Sequence, residues 1–292
     1  MPQQVGRCIF CGGRGLTKEH VWPKWLRSVL DPSLATSRHF YQTTGFGRMR
    51  TITHRPGSIE SRRLRIVCER CNTGWMSRLQ NNAKSRLLPL VRGQYISLTE
   101  ADHKILAAWS MMFTMVIEFF DLTTLATPQR ERMEFSRIPV PNDSWMVWFG
   151  MADDFPWAFH HYGWLVGKRG DVISFDLSKS PSVILPRCNA QSTTIRVGKL
   201  LVLTYSSRAA VPGFNVDPTW FAVEHGLHLI WPMPTTGLNA SPLRRLTKAE
   251  VIEVAWQFTG RIDPQHPKPT WPPQPEPTPF PKIGRRYSPL IK

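Results

Sequence analysis

The chain has 292 residues, a length that fits two modest domains or one with an elaborated edge. A hydrophobic fraction of 41% and an aromatic fraction of 11% can fill a core, which excludes wholesale disorder. The 37 Lys and Arg against 21 Asp and Glu give a formal charge of +16, the balance of a protein that meets a polyanion.

The excess charge sits in the first third. Residues 1–100 hold 17 basic and 5 acidic side chains, a net of +12, whereas the remaining 20 and 16 leave a net of +4. The polar start Met1-Pro2-Gln3-Gln4 lacks a secretory pattern. The most apolar stretch, Ile105 to Phe120, is short for a membrane span and carries Ser110, Thr114 and Glu118, so it reads as a buried helix and no membrane partner is expected. Five cysteines, four of them in two pairs, fit a reducing, cytosolic setting better than a disulfide scaffold.

In chain order, residues 1–92 form one basic unit. Cys8-Ile9-Phe10-Cys11-Gly12-Gly13 is a knuckle whose glycines permit a tight turn. Leu16 to Trp22 follows as a short apolar-polar run, and Pro23 opens a helix through Leu30. Met49 to His54 and Arg63 to Val67 are predicted strands of a hairpin turned at Pro56-Gly57. Beyond Cys71, the spacing of Trp75, Leu79, Ala83 and Leu87 predicts a helix over 72–88 that Pro89 should stop.

Residues 98–262 read as an α+β domain. Thr99 caps a helix to about Phe120, a shorter helix runs from Thr127-Pro128 to Arg137, and Thr247-Lys248-Ala249-Glu250 is a capping box opening a helix to about Thr259. Between them lie predicted strands at Trp145–Phe149, Trp157–Val166, Asp171–Leu177, Thr193–Tyr205 and Leu227–Trp231. No motif there yields chemistry, and its near-neutral charge suits target recognition, a protein partner or a homodimer contact. His160-His161 is expected to put one ring in the core and one outside, because adjacent strand residues face opposite ways. Ten prolines after Asp263 make 263–292 an extended or disordered tail.

Two Cys-x-x-Cys pairs, Cys8/Cys11 and Cys68/Cys71, have the spacing of knuckles that complete a closed tetrahedral zinc site, structural because no position is left for water. Cys188 stands apart as a small buried residue. Between the knuckles lies Glu19-His20, and directly after the second lies Asn72. At a strand end beside a helix start, a carboxylate can hold a hard cation and an imidazole can activate water. Arg48, Arg50, Arg55, Arg62, Arg63, Arg65 and Arg70 fall in a 23-residue window and are candidates for phosphate contact.

Cys8-x-x-Cys11, Glu19-His20-Val21-x-Pro23 and Val67-Cys68-x-x-Cys71-Asn72 together resemble the HNH endonucleases, the zinc-knuckle branch of the ββα-metal nucleases, over about residues 5–90. The resemblance implies a zinc-stabilised ββα-metal domain, with Glu19 and Asn72 as ligands of a catalytic Mg²⁺ (or Mn²⁺, Ni²⁺ or Zn²⁺) and His20 as general base. It implies hydrolysis of duplex DNA to 5′-phosphate and 3′-hydroxyl ends, in a phage, mobile-element, restriction or defence setting. The chain departs from the family pattern in lacking an Asn before the second knuckle, in Glu rather than Asp at position 19, and in Gln80, Asn81 and Asn82 where a further ligand is common. The alternative expectation is a non-catalytic zinc-stabilised DNA- or RNA-binding or adaptor protein that keeps the fold.

Overall fold

In the sequence, Trp145–Phe149 and Leu200–Leu203 are apolar at every position, the pattern of strands covered on both faces. A computed structural model describes residues 3–4, 6–29, 39–46, 49–56, 61–153, 157–167, 183–184, 188–209, 216–234 and 244–262. The expected strand Asp171–Leu177, the turn residue Gly57, Arg48 and the Pro-rich tail lie outside the described residues.

The chain is a mixed α+β protein. Its strands are β1 (Gln3–Gln4), β2 (Leu16–His20), β3 (His39–Phe46), β4 (Met49–Pro56), β5 (Arg63–Cys68), β6 (Trp145–Ala152), β7 (Trp157–Trp164), β8 (Val183–Ile184), β9 (Ala190–Val197), β10 (Leu200–Ser207), β11 (His228–Trp231) and β12 (Arg245–Leu246). The helices are α1 (Ser77–Val91), α2 (Glu100–Ile117), α3 (Gln129–Arg137), α4 (Pro218–Glu224) and α5 (Lys248–Ile262). An eight-stranded sheet has the order β11-β6-β10-β9-β7-β3-β4, with β12 also on β6. The β3–β7 and β12–β6 pairs are parallel and the other pairs antiparallel. Strands β2 and β5 form a separate antiparallel ladder.

The period-2 rule sorts the large sheet's side chains into two cores. Trp145, Val147, Phe149, Val202 and Ile195 share one core with α2 and with the knuckle residues Cys8 to Phe10. Trp148, Leu201, Leu203 and Tyr205 face the other way, onto Phe221 of α4 and Val251, Val254 and Phe258 of α5. Helix α2 is long and apolar enough to cross a membrane, yet it lies buried between the sheet and the knuckle unit. Its start is a capping box: the Thr99 N–H donates to Asp102 at 2.9 Å, and the Asp102 N–H donates to the Thr99 hydroxyl at 3.2 Å.

Several expectations change. The run Thr193–Tyr205 is a hairpin, β9 and β10, turned at Gly198-Lys199 with Gly198 at φ 55°. After Pro23 there is only a short 3₁₀ turn, Lys24–Ser28. Helix α1 starts at Ser77 behind a wide turn, Asn72–Met76, and continues past Pro89 to Val91, with Gly93 at φ 79° just beyond its end. Most consequentially, Met49–His54 does not pair with Arg63–Val67. Strand β4 pairs with β3, and that hairpin joins the large sheet through β7, while β5 pairs with β2. One buried core holds residues from both sides of positions 92–98. His160 and His161 are both buried, because helices and loops cover both faces of the sheet.

Two polar features sit inside. Glu118, at the end of α2, accepts from the Thr127 N–H at 3.1 Å and from the Arg132 guanidinium, which also lies 4.8 Å over the Phe119 ring. Both charged side chains are sealed from solvent. His161 shares a 2.7 Å hydrogen bond with Thr193, and burial holds its pKa down to about 4 against the opposing Asp121 charge.

Removing one member of the sealed pair strands the other, so Arg132→Met should cost about 3–5 kcal/mol in urea unfolding. Adding Glu118→Gln in the same chain should recover much of that loss. For His161 the folded pKa lies below the unfolded one. Its contribution is therefore complete above about pH 6.5 and lost as pH falls toward 4, about 3 kcal/mol in all. Urea midpoints at pH 7 and pH 4.5 should separate less for His161→Gln than for the unsubstituted protein.

Candidate metal centre

The first knuckle folds tightly because its backbone closes on itself. The Cys8 N–H donates to the Gly13 carbonyl at 2.9 Å, and the Gly12 N–H to the Cys8 carbonyl at 2.9 Å. Gly12 takes φ 70°, which favours glycine, and a Cβ on Gly13 would stand 3.2 Å from the Cys11 sulfur. The Gly13 N–H itself donates to that sulfur at 3.4 Å. The Ile9 N–H bonds the Ile66 carbonyl of β5 at 2.9 Å, which docks this knuckle on the strand leading to the second.

The four ligand atoms of Cys8, Cys11, Cys68 and Cys71 lie within 4.8 Å of one another, with Cys11 and Cys68 sulfurs 3.5 Å apart. Tetrahedral Zn–S bonds of about 2.3 Å place sulfurs about 3.8 Å apart, so this quartet can hold a metal ion such as zinc. Among the described residues it is the one group of three or more His, Cys, Asp or Glu donors close enough to share an ion. Cys188 is buried far along the chain, with its thiol directed at the Thr123 carbonyl at 3.4 Å.

Crowding divides the protons. A hydrogen bond from Cys71 brings the Cys8 thiol down to about 4 despite its burial, while the same bond and burial push Cys71 up. Burial pushes Cys68 up as well. A bound cation removes this conflict by drawing off the protons. Cys11 first, and then the negative charge of the neighbouring sulfurs, hold the Arg70 pKa above its ordinary value.

The ladder fixes where the other candidates stand. Leu16 of β2 pairs with Cys68, and His20 pairs with Arg63, so the quartet and His20 lie toward opposite ends of it. The four steps between Leu16 and His20 span about 13 Å. The register breaks between Thr17 and Glu19, and β2 ends at His20. Both Glu19 and His20 are half-buried. Asn72, also half-buried, opens the wide turn into α1.

The arginines divide. Arg50 and Arg55 fall on β4, at the edge of the large sheet, away from β5 in the pairing order. Arg62 is half-buried with its guanidinium 4.8 Å over the Phe120 ring, and Arg70 serves Cys11. Arg63 stays exposed opposite His20, and Arg65 is half-buried.

A cavity of about 420 Å³ opens beside the quartet, which sequence reasoning missed. Cys11, Cys71 and Phe10 close one side, Trp75 and Arg78 another, and Met133, Ser136 and Arg137 of α3 the third. Trp75 and Arg78 share a helix-like spacing that the sequence displays. Arg137 is brought there by folding, through the edge contacts Phe10–Trp75 (4.8 Å) and Trp75–Phe135 (5.6 Å).

With this geometry in view, comparison with protein-family models, with curated proteins and with solved structures finds no match to the chain.

Protein loaded with zinc should hold about one ion per chain by elemental analysis. Serine at Cys8, Cys11, Cys68 or Cys71 should abolish that stoichiometry, whereas Cys188→Ser should keep it. Chelation should lower the melting temperature of the unsubstituted protein and leave that of Cys71→Ser unmoved.

Proposed function

We propose that the chain is a metal-dependent DNA endonuclease of the HNH type, stabilised by zinc on the cysteine quartet. The observation that carries the reading is the order strand, strand, helix around the quartet. Glu19 and His20 end β2, β5 returns antiparallel to it, and Asn72 follows the last cysteine into α1.

Glu19 offers a carboxylate and Asn72 an amide oxygen, donors that suit a hard cation; Glu19 lies toward the His20 end of the ladder and Asn72 follows Cys71 at the quartet end, so this reading requires ion and DNA binding to bring them together. When bound there, the cation would neutralise the scissile phosphate and the departing 3′ oxygen. The rest falls to the side chains. His20 accepts a proton from the attacking water as its oxygen bonds to phosphorus. The bond from phosphorus to the 3′ oxygen breaks, leaving a 5′-phosphate and a 3′-hydroxyl. Arg63, exposed across the ladder from His20, is the arginine best stationed to hold the DNA backbone at that end.

One observation favours the alternative, a non-catalytic zinc-stabilised nucleic-acid binder. Among the described residues no further carboxylate or imidazole joins Glu19 and His20 in a group of three.

Conversion of supercoiled plasmid in Mg²⁺ or Mn²⁺ separates the two. The nuclease reading expects metal-dependent nicking that falls at least about a hundredfold in His20→Ala while zinc content holds. Salt-sensitive DNA binding without nicking in either protein would support the non-catalytic reading instead.

A further inference from the structure

The cavity beside the quartet has the makings of a ligand site that neither Glu19 nor His20 belongs to. Its volume of about 420 Å³ falls in the usual range for small-molecule sites, roughly 300–1,000 Å³. Its floor is aromatic: Phe10 is buried, and Trp75 is half-exposed between Phe10 and Phe135. Its rim carries Arg70, Arg78 and Arg137, all exposed, and no Asp or Glu lines it.

The bland explanation is that these arginines balance the sulfurs. A closed four-thiolate zinc centre carries a charge of about −2. Arg70 answers that charge directly, through Cys11. Arg78 and Arg137 make no hydrogen bond or ion pair with another described residue. Two guanidinium groups without protein carboxylates, above an aromatic wall, match a ligand that is anionic at one end and flat at the other.

We propose that this cavity binds one nucleotide, with its phosphate on Arg78 and Arg137 and its base against Trp75. Guanidinium forks hold phosphate oxygens in two places at once, and a base stacked on an aromatic ring gains about 1–3 kcal/mol without sequence preference. A cavity of this size takes a single unstacked residue, so an unpaired strand or a free nucleotide can enter and a stacked duplex cannot. The site is separate from the hydrolytic reading, because it uses none of the same side chains and is read by binding alone.

The test is binding of fluorescent dT20 to zinc-loaded full-length protein over a salt series, with an abasic 20-mer and thymidine 5′-monophosphate as competitors. Arg78→Gln/Arg137→Gln should weaken dT20 binding at least about tenfold. It should also flatten the slope of log K against log salt by about 0.7, the value for one lost single-strand phosphate contact. Lys84→Gln/Arg92→Gln removes the same charge from exposed positions outside the cavity and should leave binding within about twofold. The abasic strand should compete about fivefold worse than dT20, or less well still. Competition by the monophosphate at the same concentration as dT20 would assign the site to free nucleotides; much weaker competition would assign it to a strand. Equal loss in both double variants, equal competition by the abasic strand, or no dT20 binding at all would overturn the proposal.

Discussion

The knuckle unit depends on four sulfur atoms meeting across a long loop. Cys11 and Cys68 are 57 positions apart, and their sulfurs lie 3.5 Å from each other. Among the described residues the ladder between them, β2 with β5, has two strands and no third. Such a ladder is marginal in water by itself. A metal ion held by the quartet would close the loop in the folded state and couple ion binding to folding. Everything placed by that ladder, including Glu19, His20 and the entry to α1, would gain order from this closure.

The second anchor is aromatic. Trp22 sits 4.7 Å from Phe113 of α2, and Phe10, Trp75 and Phe135 form a chain of edge contacts to α3. The knuckle unit is therefore packed onto the α+β region, and α2 is the shared wall. This explains why a helix apolar enough for a membrane is needed inside the protein: it is covered by the sheet on one side and by the knuckle unit on the other. Glu118 and Arg132, sealed at its end, give that wall a fixed terminus at the cost of desolvating two charges.

The basic charge of the first third has several destinations. Some arginines are structural, as with Arg62 over Phe120 and Arg70 at Cys11. Others travel with β4 to the edge of the large sheet. What remains accessible near the ladder and the quartet is a smaller set: Arg63 beside His20, and Arg78 with Arg137 at the cavity. Net charge speaks to the class of partner, and the side-chain environment decides which residues are left to meet it.

The sequence by itself determined the elements that rest on local chemistry. The two cysteine pairs, the Thr99 cap and the Thr247 capping box, the buried character of Ile105–Phe120 and the strands at Trp145–Phe149, Trp157–Val166 and Leu227–Trp231 follow from spacing, caps and alternation over a few residues. Only the tertiary structure decided which strands pair. Met49–His54 and Arg63–Val67 look like a hairpin, but β4 finds a nearer partner in β3 and β5 must reach the first knuckle. It alone buried both histidines of His160-His161, since covering of both sheet faces is invisible in a two-residue motif. It alone joined Arg132 to Glu118 and brought Arg137 to Trp75 and Arg78. Those meetings span 14 residues in one case and about sixty in the other, and they are selected by packing and charge compensation, which leave no periodic trace in the chain.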